Sequence, residues 1–164
     1  MKKVIVVLIS ILLLVLDNAV MPFIGIYNAF PSLLFTFAIL YSLINGYYDA
    51  VFIGVVSGLL QDVFFSSGFG INSLVNLFLC LVAAYIGNGV FKKRKLVPVA
   101  TVFGLTIIKH LIIFVIFYLM NYKVVINNIL LVAIYNSIVA FIVYRFVLMF
   151  SNTEDVNNKW RFRW

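Results

Sequence analysis

Three ionisable side chains stand inside long apolar runs of this chain: Asp62, Lys109 and His110. If these runs lie in a bilayer, each charge near its centre costs about 2.5–3.5 kcal/mol on insertion scales, so each requires a physical reason. Amide and hydroxyl groups occur in the same runs, at Gln61, Asn72, Ser73, Asn76 and Asn136. Such groups form interhelical hydrogen bonds or line a polar cavity.

Asp62 continues a stripe of small residues. Ala50, Gly54, Gly58 and Asp62 recur every four residues, which places them on one face of a helix. Small residues let a second helix approach closely, and packing drives helix association in lipid. We therefore predict that this face contacts another helix, of this chain or of a partner. Asp62 could alternatively cap the turn at 66–70 or the next helix start, where negative charge is favoured.

Asp62 and Lys109 have the same predicted depth in the membrane. Each lies about 13 residues from the same-side end of its helix, or roughly 20 Å by helical rise. Because intramembrane charges usually pair, an Asp62–Lys109 ion pair is one hypothesis. Lys109 could instead extend along a tilted helix toward the interface. We interpret His110 as a hydrogen-bonded packing residue rather than a ligand.

The residue pattern does not favour catalysis. Asp49 and Asp62 are about 20 Å apart by helical rise and cannot share a proton. One histidine cannot build a hydrolytic metal site, and no glycine-rich phosphate loop with its lysine occurs. A serine hydrolase would need Ser66 or Ser67 beside His110, and no motif around them supports one. We expect no catalytic residue, cofactor or metal.

Composition indicates that membrane helices must position these residues. Of the 164 residues, 65% are hydrophobic and 10% are charged, whereas soluble domains are about half apolar and about one quarter charged. So few charges cannot cover an aqueous surface, which makes lipid the predicted solvent. The net charge of +7 is better explained by membrane topology than by a nucleic-acid partner. A single cysteine, Cys80, excludes an intrachain disulfide.

Six segments are apolar enough to be transmembrane helices, each of which needs about 20 residues. The predicted spans are 4–20, 31–44, 50–65, 72–90, 97–120 and 127–150. They predict an all-α integral membrane domain over residues 1–150, followed by a tail at 151–164. Pro31 suits the first turn of the second helix. A polar turn with Gly68, Gly70 and Asn72 separates the third helix from the fourth.

Basic residues predict the orientation of the spans. With both termini in the cytoplasm, every Lys and Arg except Lys109 and Lys123 falls on the inner side, as the positive-inside rule requires. Two groups are expected to contact the anionic inner leaflet or a cytoplasmic partner. They are Lys92, Lys93, Arg94 and Lys95 after the fourth span, and Trp160, Arg161, Arg163 and Trp164 in the tail.

Two stretches carry a family resemblance: Pro31-Ser-Leu-Leu, and Gly54-x3-Gly58-Leu-Leu-Gln-Asp62-Val-Phe-Phe-Ser-Ser-Gly68-Phe-Gly70-Ile-Asn72. They resemble the rod shape-determining protein MreD family, and chain length and the six-span layout extend the resemblance over nearly the whole chain. The residues matched to the family pattern are Gly54, Gly58, Asp62, Gly68 and Gly70. Lys109 and His110 match no family position.

The resemblance implies a multi-pass protein of the bacterial inner membrane that helps to maintain cell shape. It implies a non-catalytic scaffold or regulator that contacts MreC directly. Through MreC it would join MreB filaments to the peptidoglycan synthases RodA and a class B penicillin-binding protein. It also implies a fold like the six-helix substrate-binding subunits of energy-coupling-factor transporters.

A second function remains open, namely a small-molecule binding subunit of the vitamin-transporter type. It would require a cavity open to the outside and lined by polar and aromatic groups such as Asn72, Asn76, Lys109 and Tyr118. A vitamin retained through purification would favour this function, whereas stable association with MreC would favour the scaffold.

Overall fold

Helices make up nearly all of the described structure. The computed structural model describes residues 2–25, 29–65, 69–89, 96–121 and 128–150. The helices are α1 Lys2–Ala19, α2 Met21–Ile24, α3 Leu33–Asn45, α4 Tyr47–Phe65, α5 Ile71–Gly89, α6 Val97–Leu119 and α7 Ile129–Phe150. A helix lies over each of the six predicted spans, with ends within three residues of those expected. The short α2 was not predicted.

Among the described residues, four helices, α4 to α7, are long and apolar enough to cross a membrane. This part of the chain is helical, as expected of an all-α membrane protein, but it has four helices of spanning length where six were predicted. α3 has only 13 residues, or about 20 Å of rise, against a hydrocarbon core of about 30 Å. The 18 residues of α1 include Lys2, Lys3 and Asp17, which lower its apolar character.

The short helix α3 lies at the centre of the bundle. All of its side chains from Leu34 to Ile44 are buried, and it packs against α1, α4, α5, α6 and α7. Ser32 caps its first turn by accepting a hydrogen bond from the Phe35 N–H at 3.3 Å. Its last turn ends at Gly46, whose φ of 90° is readily adopted only by glycine. This central position explains why α3 is apolar all round.

The small-residue face of α4 packs against α5 of the same chain. A Cβ atom on Gly54 would lie 2.8 Å from the Leu77 Cα, and one on Gly58 would overlap the Ser73 backbone. Ala50, Gly54 and Gly58 are all buried. The predicted helix contact is therefore internal, and these residues are not available to a partner's helix.

The outer surface of the bundle is apolar. On α1, the exposed residues Val4, Leu8, Leu12 and Val15 share one face, because they recur every three or four residues. The opposite face carries the buried Val6, Ser10, Leu14 and Asp17. α7 has a similar outer face formed by Leu130, Ile134, Ile138, Phe141 and Ile142. Such large apolar faces suit contact with lipid or with other membrane helices.

We expect Gly58→Ala to lower the free energy of unfolding by about 1–3 kcal/mol, because extra atoms would be forced into a packed contact. Gly104→Ala is the matched control, since a Cβ at Gly104 meets no atom within 4 Å. Alanine is the better helix former by about 1 kcal/mol, so the control should be neutral or slightly stabilised. Thermal unfolding in one detergent measures both variants, and equal midpoints would contradict the α4–α5 contact.

Candidate functional site

Polar side chains gather at the end of the bundle where α1 and α4 end and α3 and α5 begin. We call this group the polar cluster. Its members are Asp17, Ser32, Ser57, Gln61, Asp62, Asn76, Thr106, Lys109 and Asn136. Ser32 is half-buried and the others are buried. Because an unsatisfied polar group inside a membrane costs several kcal/mol, the partners of each member decide what the cluster can do.

Asp17 binds the start of α3. Its Oδ1 accepts a hydrogen bond from the Leu33 N–H at 2.7 Å, and its Oδ2 accepts from the Leu34 N–H at 3.0 Å. The Ser32 hydroxyl donates a further bond to Oδ2 at 3.1 Å. A negative charge at a helix N-terminus satisfies free N–H groups and complements the helix dipole. Asp17 lies inside the predicted first span, and its type and position alone did not predict this role. An acid followed by a Pro31-Ser32 helix start is the only available signal.

Asp62 binds the start of α5 in the same way. Its two carboxylate oxygens accept hydrogen bonds from the N–H groups of Asn72 and Ser73, each at 2.9 Å. Its side chain is fully buried. Of the two interpretations of Asp62, the geometry is that of a cap on the next helix. The preceding turn contains Gly70, whose φ is 95°, so the backbone can bend back toward Asp62.

Lys109 binds Gln61 rather than Asp62. Its Nζ donates a hydrogen bond to Gln61 Oε1 at 2.7 Å and lies 4.3 Å from the centroid of the Phe35 ring. The described residues contain no Asp62–Lys109 salt bridge, so the proposed ion pair is replaced by two separate interactions. The reason is angular, since consecutive helical residues differ by about 100° around the axis. Asp62 therefore faces α5 while Gln61 faces Lys109.

Two residues join the cluster across the bundle. Gln61 Oε1 also accepts a hydrogen bond from Asn76 Nδ2 at 3.0 Å, and Gln61 Nε2 donates to Ser32 Oγ at 3.2 Å. Asn136 Oδ1 accepts from the Ser32 N–H at 2.8 Å, and its Nδ2 donates to Thr106 Oγ1 at 3.2 Å. These bonds connect α4, α5, α6 and α7 to the start of α3. Such interhelical hydrogen bonds are those expected of the amides in the sequence.

A pocket of about 490 Å³ opens beside the polar cluster. Its lining is Asp17, Asn18, Pro22, Phe30, Pro31, Ser32, Phe35, Gln61, Asn72, Lys109, His110, Ile113, Val132 and Asn136. Ligand pockets typically measure about 300–1,000 Å³ and combine apolar walls with a few polar groups. Of the residues expected to line a small-molecule cavity, Asn72 and Lys109 do so. Asn76 lies in the cluster but not in this lining, and Tyr118 is a 70% exposed side chain outside it.

His110 has a local partner. Its Nδ1 lies 2.8 Å from the Thr106 carbonyl oxygen, one helical turn earlier, as a hydrogen-bonded packing residue would. In the described part of the chain, no three His, Cys, Asp or Glu side chains are placed to hold a metal. Cys80 is buried in the core.

Several predicted contact residues lie outside the described residues. They are Gly68 of the polar turn, the basic group Lys92, Lys93, Arg94 and Lys95, and the tail residues Trp160, Arg161, Arg163 and Trp164. Their contacts with lipid or a partner stay predictions.

We expect Asp62→Ala to reduce the free energy of unfolding by about 2 kcal/mol, because two N–H groups in the first turn of α5 would lose their acceptor. Hydrogen exchange at Asn72 and Ser73 should accelerate in this variant. Asp62→Asn retains one acceptor oxygen, so its loss should be smaller. Unfolding in detergent and exchange measured by mass spectrometry test both variants. Wild-type stability in Asp62→Ala would rule out the capping role.

Comparison with protein-family models matches residues 1–153 to the model described as rod shape-determining protein MreD. No curated protein and no solved structure gives a match. The matched region contains every described helix and the whole polar cluster. It confirms the resemblance seen in the α4 stripe and the turn after it. The chain belongs to the rod shape-determining protein MreD family.

Proposed function

We propose that this protein is a non-catalytic scaffold or regulator of the bacterial cell-elongation machinery in the inner membrane. The family match carries the proposal, since the family itself acts in rod shape determination. The finer role is a direct contact with MreC. Through MreC the protein would join MreB, RodA and a class B penicillin-binding protein in one complex.

The arrangement of apolar faces supports contact within the membrane. Gly54 and Gly58 of α4 already pack against α5, so a partner's transmembrane helix has to use another surface. The outward faces of α1 and α7 are exposed and apolar over several turns. Because packing drives helix association in lipid, such faces are candidate surfaces for MreC. α5 and α6 also expose apolar residues, among them Phe78, Val82, Leu111 and Val115.

We infer that α1 and α3 also cross the bilayer, which gives six spans. The exposed face of α1 is apolar, so contact with lipid is more favourable for it than contact with water. α3 is surrounded by other helices of the bundle. The backbone groups beyond its two ends therefore face protein rather than lipid, and a helix shorter than the bilayer is tolerated at this position. Six spans in one bundle are also the layout of energy-coupling-factor substrate-binding subunits.

We expect labelling of introduced cysteines to distinguish six spans from four. In a Cys80→Ala background, Phe23→Cys should react with an impermeant thiol reagent in intact spheroplasts. Lys3→Cys, Lys93→Cys and Trp164→Cys should react only after permeabilisation, because the basic groups are retained at the inner leaflet. Labelling of Lys3→Cys and Phe23→Cys from the same side would mean that α1 does not cross.

We expect MreC to co-purify with the tagged full-length protein from native membranes in mild detergent. A variant that ends at residue 150 removes the tail, including Trp160 and Trp164, and is the informative comparison. If the MreC contact is made by membrane helices, the truncated protein should still retain MreC. Quantitative mass spectrometry of the eluate, with an equally tagged unrelated multi-pass protein as control, measures this. Absence of MreC from the full-length sample would refute the scaffold role.

The pocket favours a second function, the binding of a small molecule. It has the volume of a ligand site, and Asn72 and Lys109 supply polar groups on its wall. With the orientation predicted from the basic residues, it lies toward the outer side of the membrane. A substrate-binding subunit of a transporter would need a site at this level.

A further inference from the structure

We propose that the pocket binds a small amphiphilic molecule through an oxyanion, a carboxylate or a phosphate, and that Lys109 is the residue that receives it. The inference rests on the second candidate function, small-molecule binding. It does not depend on the contact with MreC.

The first argument is the charge of Lys109. Its side chain is only 7% exposed, and no carboxylate of the described residues forms a salt bridge with it. One ammonium hydrogen is directed to Gln61, and the Phe35 ring supplies a cation–π contact. Since an ammonium carries three donors, donors remain for a group in the pocket. A buried charge without an opposite partner is strongly unfavourable.

The two nearby carboxylates are already used. Asp17 lines the same pocket as Lys109, and Asp62 follows Gln61, which binds Lys109, in the chain. However, Asp17 is held by the start of α3 and Asp62 by the start of α5. The positive ends of these helices therefore offset the two negative charges. An anion that enters the pocket would supply the hydrogen-bond partner that neither carboxylate gives to Lys109.

The walls indicate the rest of the ligand. Beside Lys109 the lining offers the amide of Asn72, which suits a polar head group. The Asn136 amide is also in the lining, but it is already bonded to Ser32 and Thr106. The rest of the lining has six apolar residues, Pro22, Phe30, Pro31, Phe35, Ile113 and Val132, beside polar groups that include the hydrogen-bonded carboxylate of Asp17. This combination fits a molecule with one charged end and a short apolar body.

Lys109 is not required to satisfy the polar cluster. Gln61 Oε1 accepts hydrogen bonds from both Lys109 Nζ and Asn76 Nδ2. When Lys109 is replaced by methionine, Gln61 Oε1 keeps the bond from Asn76. If Lys109 has a structural role, its replacement should destabilise the protein. If Lys109 is retained for binding, the variant should be at least as stable as the wild type.

We expect octanoate and octyl phosphate to raise the unfolding temperature of the purified full-length protein in a neutral detergent. Ligands that bind only the folded state stabilise it by mass action. Octanol, which has the same chain without the charge, should have a much smaller effect. Inorganic phosphate should bind more weakly than octyl phosphate, because it cannot use the apolar walls. The ratio of the apparent affinities for octyl phosphate and inorganic phosphate shows whether the ligand is an amphiphile or a free anion.

Lys109→Met should weaken apparent binding of octyl phosphate at least tenfold, while its own unfolding temperature without ligand stays equal to or above that of the wild type. Arg145→Gln, an exposed charge on α7, is the matched control and should bind as the wild type does. If Lys109→Met does not fold, Lys109→Gln serves in its place, since its amide can still donate to Gln61.

Three results would overturn the proposal. The first is an equal rise in unfolding temperature with octanol and octanoate, and the second is a rise that persists in the Lys109 variants. The third is a rise in unfolding temperature with co-expressed MreC but with none of the anions. The last result would assign the pocket to the protein partner. Failure of the anion experiment with MreC still co-purifying would leave the scaffold role in place.

Discussion

Two buried carboxylates satisfy N–H groups in the first turns of α3 and α5. Asp17 holds the start of α3 and Asp62 holds the start of α5. Each carboxylate comes from the helix on the other side of a reversal of the chain. The need to satisfy backbone donors away from water thus fixes where the α3 and α5 ends lie relative to α1 and α4.

Close packing then places the remaining polar groups. Glycines on α4 bring its backbone against α5, which sets Gln61 next to Asn76. The buried face of α6, with Thr101, Leu105 and Lys109, presents its lysine to the same glutamine. α7 contributes Asn136, whose amide links Ser32 to Thr106. One hydrogen-bonded cluster therefore connects most of the long helices beside the pocket.

The proposed scaffold role and the proposed binding role of the pocket make different demands on the same bundle. A scaffold requires outward apolar faces that a second membrane protein can contact, and α1 and α7 provide them. A binding site requires an inward cavity with a charged residue that the fold itself does not need. We propose Lys109 for this role, because Gln61 Oε1 also accepts a hydrogen bond from Asn76. Burial of such a charge is costly in lipid, and residues that conflict with stability commonly serve function.

The sequence by itself determined the class of protein, the positions of the six long or apolar helices and the family. Length, apolar runs and the Gly54–Gly58 spacing are local properties, so they can be read along the chain. It also indicated that Asp62 either caps a helix or enters a packing contact. Only the tertiary structure decided that the α4 stripe packs against α5, that Lys109 binds Gln61, and that Asp17 belongs to the cluster. Depth along an axis can be counted from sequence, but the direction a side chain faces depends on how each helix is rotated against its neighbours. That rotation is set by packing between residues distant in the chain.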